Sequence, residues 1–173
     1  LSQLLAQDTA TQQRYIELGI TAEKTQVLGN IKFDITAPQS FVEHAANLKQ
    51  AWQLAGRKIM ILASTHAPEE KEILSALKSA LDSNPKLLCI VVPRHPERFD
   101  EVFQAAQSLN LITQRRSLAQ NIEADTQVYL ADSMGEMWLW YALSQACYVG
   151  GSLNEPGGGH NILEPIALNV STV

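Results

Sequence analysis

Four short apolar runs, separated by longer amphipathic stretches, constrain this chain more than any other feature. They are Lys58-Ile-Met-Ile-Leu-Ala63, Lys86-Leu-Leu-Cys-Ile-Val-Val92, Gln127-Val-Tyr-Leu130 and Ala146-Cys-Tyr-Val149. None alternates polar with apolar, so each predicts a strand covered on both faces, as in a parallel sheet. The intervening stretches, over residues 39–55, 68–83, 97–109 and 134–145, carry helical patterning. In the third, Phe99, Val102, Phe103 and Ala106 recur at a spacing of three and four, which places them on one helix face. The fourth is apolar nearly all the way round, so it predicts an interior helix whose Trp138 and Tyr141 pack into the core. Strands and helices in this alternation predict an α/β domain, a parallel sheet with helices on both faces.

The flanks are weaker. A polar helix over 8–18, ending at Gly19, and a strand over 25–28 precede the alternation. A strand over 111–113, a short helix near 161–168 and a strand over 170–173 fill out the second half, while 114–125 reads as a long exposed loop. At 173 residues the chain suits one domain with flanking pieces. It opens without methionine and stops inside an apparent strand, which predicts a fragment of a longer protein.

Composition excludes several classes. Hydrophobic content of 46% argues against disorder, and the formal charge of −5 against a general nucleic-acid binder. No apolar run approaches the roughly 20 residues that cross a bilayer. Cys89 and Cys147 sit in apolar runs and predict reduced core residues of an intracellular protein. The histidines have no metal-ligand spacing, so no metal site is expected, and no G-x-S-x-G elbow makes Ser64 or Ser152 a nucleophile.

Ligands of parallel α/β sheets bind beyond the carboxyl ends of the strands, and the unusual residues of this chain fall there. Ser64-Thr-His66 follows the first run, Pro93-Arg-His-Pro96 the second, Asp132-Ser-Met-Gly-Glu136 the third and Gly150-Gly-Ser152 the fourth. Arg94 presents a guanidinium suited to a two-pronged phosphate contact; the same residue also reads as a surface arginine on a proline-stiffened turn. Ser133-x-x-Glu136 reads as a capping box, with a helix start able to attract an anion and Gly135 permitting close approach as the alternative. At Asn161-Ile-Leu-Glu-Pro165, Glu164 is expected as the helix cap with Pro165 in the first helical position. That glutamate also suits the two hydroxyls of a ribose.

Taken together, Gly29-Asn-Ile-Lys-Phe-Asp34, Ala63-Ser-Thr-His66, Val92-Pro-Arg-His-Pro-Glu-Arg-Phe99, Asp132-Ser-Met-Gly-Glu136 and Gly150-Gly-Ser…Gly-Gly-His-Asn-Ile-Leu-Glu-Pro165 resemble the 3-deoxy-D-manno-octulosonic acid (Kdo) transferases of Gram-negative bacteria. The resemblance implies a Rossmann-like domain, the C-terminal half of a two-domain GT-B glycosyltransferase. Residues 1–30 would be a helix and linker leaving the N-terminal domain, and 31–173 the donor-binding domain. It implies an inverting, metal-independent transfer of Kdo from CMP-Kdo to the lipid A precursor, without cofactor, at the cytoplasmic face of the inner membrane. The catalytic glutamate and the membrane anchor would lie in the N-terminal domain, leaving this piece inactive alone. By the same resemblance, CMP would contact Pro93, Arg94, Met134, Gly135, Glu136, Asn161, Ile162, Leu163 and Glu164. Lys32, Ser64, Thr65, His66 and His160 would be placed for the donor sugar. The rival expectations are a related GT-B enzyme acting on a UDP-sugar, such as an epimerase, and a non-catalytic α/β binding module.

Overall fold

The computed structural model describes residues 1–153 and 157–173. The chain forms two compact units, Leu1–Thr36 and Ala37–Val173. In the first, β1 (Leu4–Ala6) pairs in parallel with β2 (Thr25–Val27), and α1 (Thr9–Glu17) connects them. The Asp8 carboxylate caps α1 by accepting the Thr11 N–H at 2.6 Å, which satisfies one of the amides that a helix start leaves unpaired. β1 was not legible as a strand, because three residues are too few to show a period. Lys32 lies in this unit, exposed, its backbone N–H bonded to Asn30.

The second unit begins with α2 (Gln39–Ala51) and then alternates as β3 (Lys58–Thr65), α3 (Glu69–Ser83), β4 (Leu87–Pro93), α4 (Phe99–Ser108), β5 (Thr113–Arg115), β6 (Val128–Leu130), α5 (Met137–Leu143), β7 (Ala146–Val149), α6 (Leu163–Ala167) and β8 (Ser171–Thr172). The six strands form one parallel sheet in the order β5-β6-β4-β3-β7-β8. Their near-continuous apolar runs are buried by helices on both faces. One core layer joins Ile59, Ile61, Leu88, Ile90 and Tyr129 to α5 and α2 through Trp140, Leu139 and Ala45. The other joins Leu62, Cys89 and Val91 to α3 and α4 through Leu74, Leu81, Val102 and Ala106. Cys89 and Cys147 are free and buried, and burial pushes both thiols up to about 12, so both are inert core residues.

After β6 the chain crosses to the far side of β3 to lay down β7. That reversal leaves a crevice at the strand tips. Two details shape it. Ser64 adopts a left-handed backbone at φ 53, where the pairing of β3 with β4 slips by one residue. Gly150 N–H donates to Ala63 O at 2.8 Å and Arg94 N–H to Thr65 O at 2.9 Å, locking the tips of β7 and β4 onto that irregular end.

The segment 114–125, expected as a long exposed loop, has no regular structure past Arg115 and is exposed over 117–121 and 123–125, but side-chain bonds tie it to the sheet. Arg115 reaches Asp132 and Asp100, Ser117 bonds Asp132, Arg116 pairs with Glu136, and Ile122 is buried. Its polarity reflects ion pairing with partners remote in sequence. Burial alone would raise the Asp132 carboxyl, but bonds from Ser117 and Arg115 hold it below its ordinary value. Glu136 is likewise lowered: burial opposes, and Arg116 with Ser133 prevails. A depressed folded value means that these carboxylates lend stability above their unfolded values, near pH 4, and lose it as pH falls through the folded ones. The melting midpoint is therefore expected to fall on acidification below about pH 4, less steeply in Arg116→Ala; parallel curves for the two proteins contradict the assignment.

Candidate functional site

The strand tips surround a cavity of about 200 Å³ lined by Ser64, Arg94, Met137, Tyr141, His160, Asn161 and Glu164. They come from four parts of the α/β pattern: Ser64 from the end of β3, Arg94 from just past β4, Met137 and Tyr141 from one face of α5, and His160, Asn161 and Glu164 from the segment that leads from β7 into the start of α6. A larger hollow of about 370 Å³ lies between α3 and α4. Its arginine and both its glutamates are already engaged, since Arg98 grips Glu70 with two bonds of 2.8 and 3.0 Å and also holds Glu101. The strand-tip cavity is smaller, but its Arg94 and Glu164 side chains have no hydrogen-bond partner among the described residues.

Arg94 carries the clearest signal. The unit contains five arginines. Arg57 binds backbone carbonyls, Arg98 binds Glu70 and Glu101, Arg115 binds Asp100 and Asp132, and Arg116 binds Glu136. Arg94 alone has no side-chain partner among the described residues. Across the same cavity, Glu164 is half-buried and has no hydrogen-bond partner among the described residues, and burial raises its carboxyl above the ordinary value. A free fork of N–H donors facing a free carboxylate suits a ligand that offers an anion at one end and hydroxyl donors at the other.

Three histidines gather beside Arg94. His66 Nε2 lies 2.6 Å from His160 Nε2, their rings stack at 4.9 Å, and His95 meets His66 edge-on at 5.1 Å. The short contact requires one ring to donate and the other to accept. Burial lowers His160, and His66, Arg94 and His95 repel its proton further while Glu69 opposes them. The neutral form of His160 is therefore favoured. Among the described residues, no group of three His, Cys, Asp or Glu side chains is arranged to hold a metal.

Two sequence expectations about the helix starts require correction. α5 begins at Met137, not at 134, and its first amide positions receive no side-chain cap. Ser133 donates its hydroxyl to the Glu136 carboxylate, and Arg116 takes both of that carboxylate's oxygens. The capping box is thus replaced by an ion pair, because a nearby guanidinium outcompetes two backbone amides. The turn Met134–Glu136 leads into the cavity through Met137 but does not line it; Gly135 takes φ 79 and Met134 is 67% exposed. At α6, the preceding turn is closed by Asn161, whose side-chain oxygen accepts the Leu163 N–H at 3.0 Å. Ile162 occupies the cap, and Glu164 is the second helical residue rather than the cap, so its carboxylate is left for the cavity.

Of the other expected contacts, Thr65 and Pro93 are buried in the strand ends. Neither side chain reaches the cavity, so both act as scaffold. Ile162 is exposed beside the cavity residues Asn161 and Glu164. Met137 and Tyr141 were not expected here. Tyr141 is 2% exposed yet forms part of the cavity wall; its spacing of four from Met137, on a helix that starts at a strand tip, was the available signal. Glu69, which accepts the His66 N–H at 2.9 Å and the Gly151 N–H at 2.8 Å, left no mark that local sequence could reveal.

The fold and the crevice together define a Rossmann-like α/β domain with a polar crevice at the switch point of the sheet, where ligands of such folds bind. No family model matches the chain. The 3-deoxy-D-manno-octulosonic acid transferase of Haemophilus influenzae is 39% identical over 173 residues, which is all of this chain and 40% of that protein. The same enzyme of Bordetella pertussis is 33% identical over 178 residues, again covering 100% of this chain and 40% of that protein. Among solved structures, the C-terminal CMP-Kdo binding domain of WaaA from Acinetobacter baumannii matches with a TM-score of 0.77 and 68% identity, covering 78% of this chain and 70% of that one. The chain belongs to the Kdo transferase family. It spans about 40% of the length of the curated relatives named above.

Proposed function

We propose that this chain is the donor-binding domain of a Kdo transferase and that it holds CMP-Kdo in the strand-tip cavity. The observation that carries the reading is the Arg94 guanidinium facing the Glu164 carboxylate across one small polar cavity, neither with a hydrogen-bond partner among the described residues. Arg94 takes the phosphate by a two-pronged contact, with Ser64 and His160 beside it. Glu164, helped by Asn161, accepts the ribose hydroxyls. The exposed apolar side chains Met134 and Ile162, with Gly135 and Leu163 between and beside them, serve the base. Glu136 acts at one remove, because Arg116 and Ser133 occupy its carboxylate. His66 and His160 face the sugar. Lys32 belongs to the other unit and receives no role.

CMP is the leaving group. As the bond from the sugar's anomeric carbon to the phosphate oxygen breaks, negative charge grows on the phosphate. A fixed guanidinium and neighbouring hydrogen-bond donors stabilise that charge without reorganising at the moment of reaction. The reaction in this reading is inverting and metal-independent. The base that deprotonates the acceptor hydroxyl, on a lipid A precursor at the inner membrane, lies outside these residues. No helix among the described residues is long and apolar enough to cross a membrane. The chain alone is therefore expected to bind donor without turning it over.

Titration calorimetry with CMP, UMP and UDP tests the reading. Binding of CMP in preference to both uridine nucleotides is the expected result. A preference for UDP would favour a UDP-sugar enzyme, and no heat with any nucleotide would leave a binding module of another kind.

A further inference from the structure

Glu69 is the one fully buried carboxylate of the second unit that has no cationic partner among the described residues. It is 0% exposed, whereas the buried acids Glu70 and Asp132 are each paired with an arginine. Buried carboxylates are rarely tolerated without a counter-charge. Glu69 is held instead by four donors from three segments. One oxygen accepts the His66 N–H at 2.9 Å. The other accepts the Tyr148 hydroxyl at 2.7 Å, the Gly151 N–H at 2.8 Å and the Leu153 N–H at 3.3 Å. Gly151 carries the connection onward: its O accepts the Gly158 N–H at 3.0 Å, and a Cβ placed on it would lie 3.4 Å from the His160 ring. The His160 N–H in turn donates to Gly150 O at 3.2 Å.

We infer that Glu69 is a positioning residue of the site, fastening the Gly150–Leu153 turn to the end of β3 and thereby fixing where His160 meets the cavity. The inference rests on the reading of that cavity as the nucleotide site, and it explains why a carboxylate, and not an amide, occupies the position. Every partner of Glu69 is a donor, and three of the four are backbone N–H groups that cannot reverse. A glutamine has one acceptor oxygen and one NH2. Whichever way it turns, an N–H faces an N–H, at His66 or at Gly151.

Glu69→Gln is expected to weaken CMP binding about tenfold, the scale of one buried group left unpaired. In a His160→Ala background the same substitution is expected to change affinity by less than about twofold, because its route to the ligand is gone. The ring resonances of His160 should shift in the single variant while the chain still melts cooperatively. Equal losses in both backgrounds would overturn the inference. Should Glu69→Gln fail to fold, Tyr148→Phe removes one donor only, and the same non-additivity is expected on a smaller scale. If the unsubstituted chain does not bind CMP, the functional reading fails, and the His160 resonances decide the positioning claim alone: unchanged resonances in Glu69→Gln overturn it.

Discussion

Arg94→Ala is expected to cost CMP binding about tenfold to a hundredfold while leaving the melting midpoint where it was. The affinity loss follows from a charge-assisted, two-pronged contact, for which a loss of about 1.5–3 kcal/mol is ordinary. The unchanged midpoint follows from the structure: the side chain is exposed, and among the described residues it has no partner to lose. Surface substitutions of that kind stay within about 0.5 kcal/mol. Arg94→Lys sharpens the test. Lysine keeps the charge but not the planar fork, so it should recover only part of the affinity. Full recovery would show that charge alone matters, and a lowered midpoint in Arg94→Ala would contradict the absence of a structural role for this side chain.

Gly150→Ala is the second large effect, and it falls on stability. A Cβ at this position would lie 2.5 Å from Ser64 O, 2.7 Å from Thr65 Cα and 2.8 Å from a Glu69 carboxylate oxygen. Two of these are backbone atoms inside the irregular end of β3, and the third is locked by its own hydrogen bonds, so none can yield cheaply. Overpacking of this sort costs about 1–3 kcal/mol, occasionally more, which lowers the midpoint of a domain of this size by roughly 2–12 °C. Gly158 is the matched control, since a Cβ there meets nothing within 4 Å. Gly158→Ala should melt like the unsubstituted chain. Equal effects of the two alanines would mean that the close approach at Gly150 is not what holds the turn.

The sheet was legible because its central strands are buried on both faces. Ile59 to Ala63 and Leu88 to Val92 have no polar face to show, and a run of that composition has few alternatives. Strand-tip placement marked Arg94, with a surface arginine as the open alternative, while Glu164 read both as a helix cap and as a partner for ribose hydroxyls. What escaped was set by partners far away in sequence. The α5 start was misjudged because Glu136 satisfies Arg116, twenty positions back, rather than the helix amides. The ties that hold the 114–125 loop escaped because Asp100 and Asp132, which anchor Arg115, are not its neighbours in the chain. In the sequence nothing sets Glu69 apart from Glu70 and Glu72, the other acids in the first turn of α3. Its importance comes from a glycine turn more than eighty residues later that folds back over it.

The central claim is that one small cavity at the tips of β3, β4 and β7 holds the nucleotide. A crystal structure of the chain grown with CMP tests it most directly. The account predicts the phosphate within hydrogen-bonding distance of the Arg94 guanidinium and the ribose hydroxyls on the Glu164 carboxylate. Nucleotide bound elsewhere, such as in the hollow between α3 and α4, with Arg94 and Glu164 untouched, would contradict it.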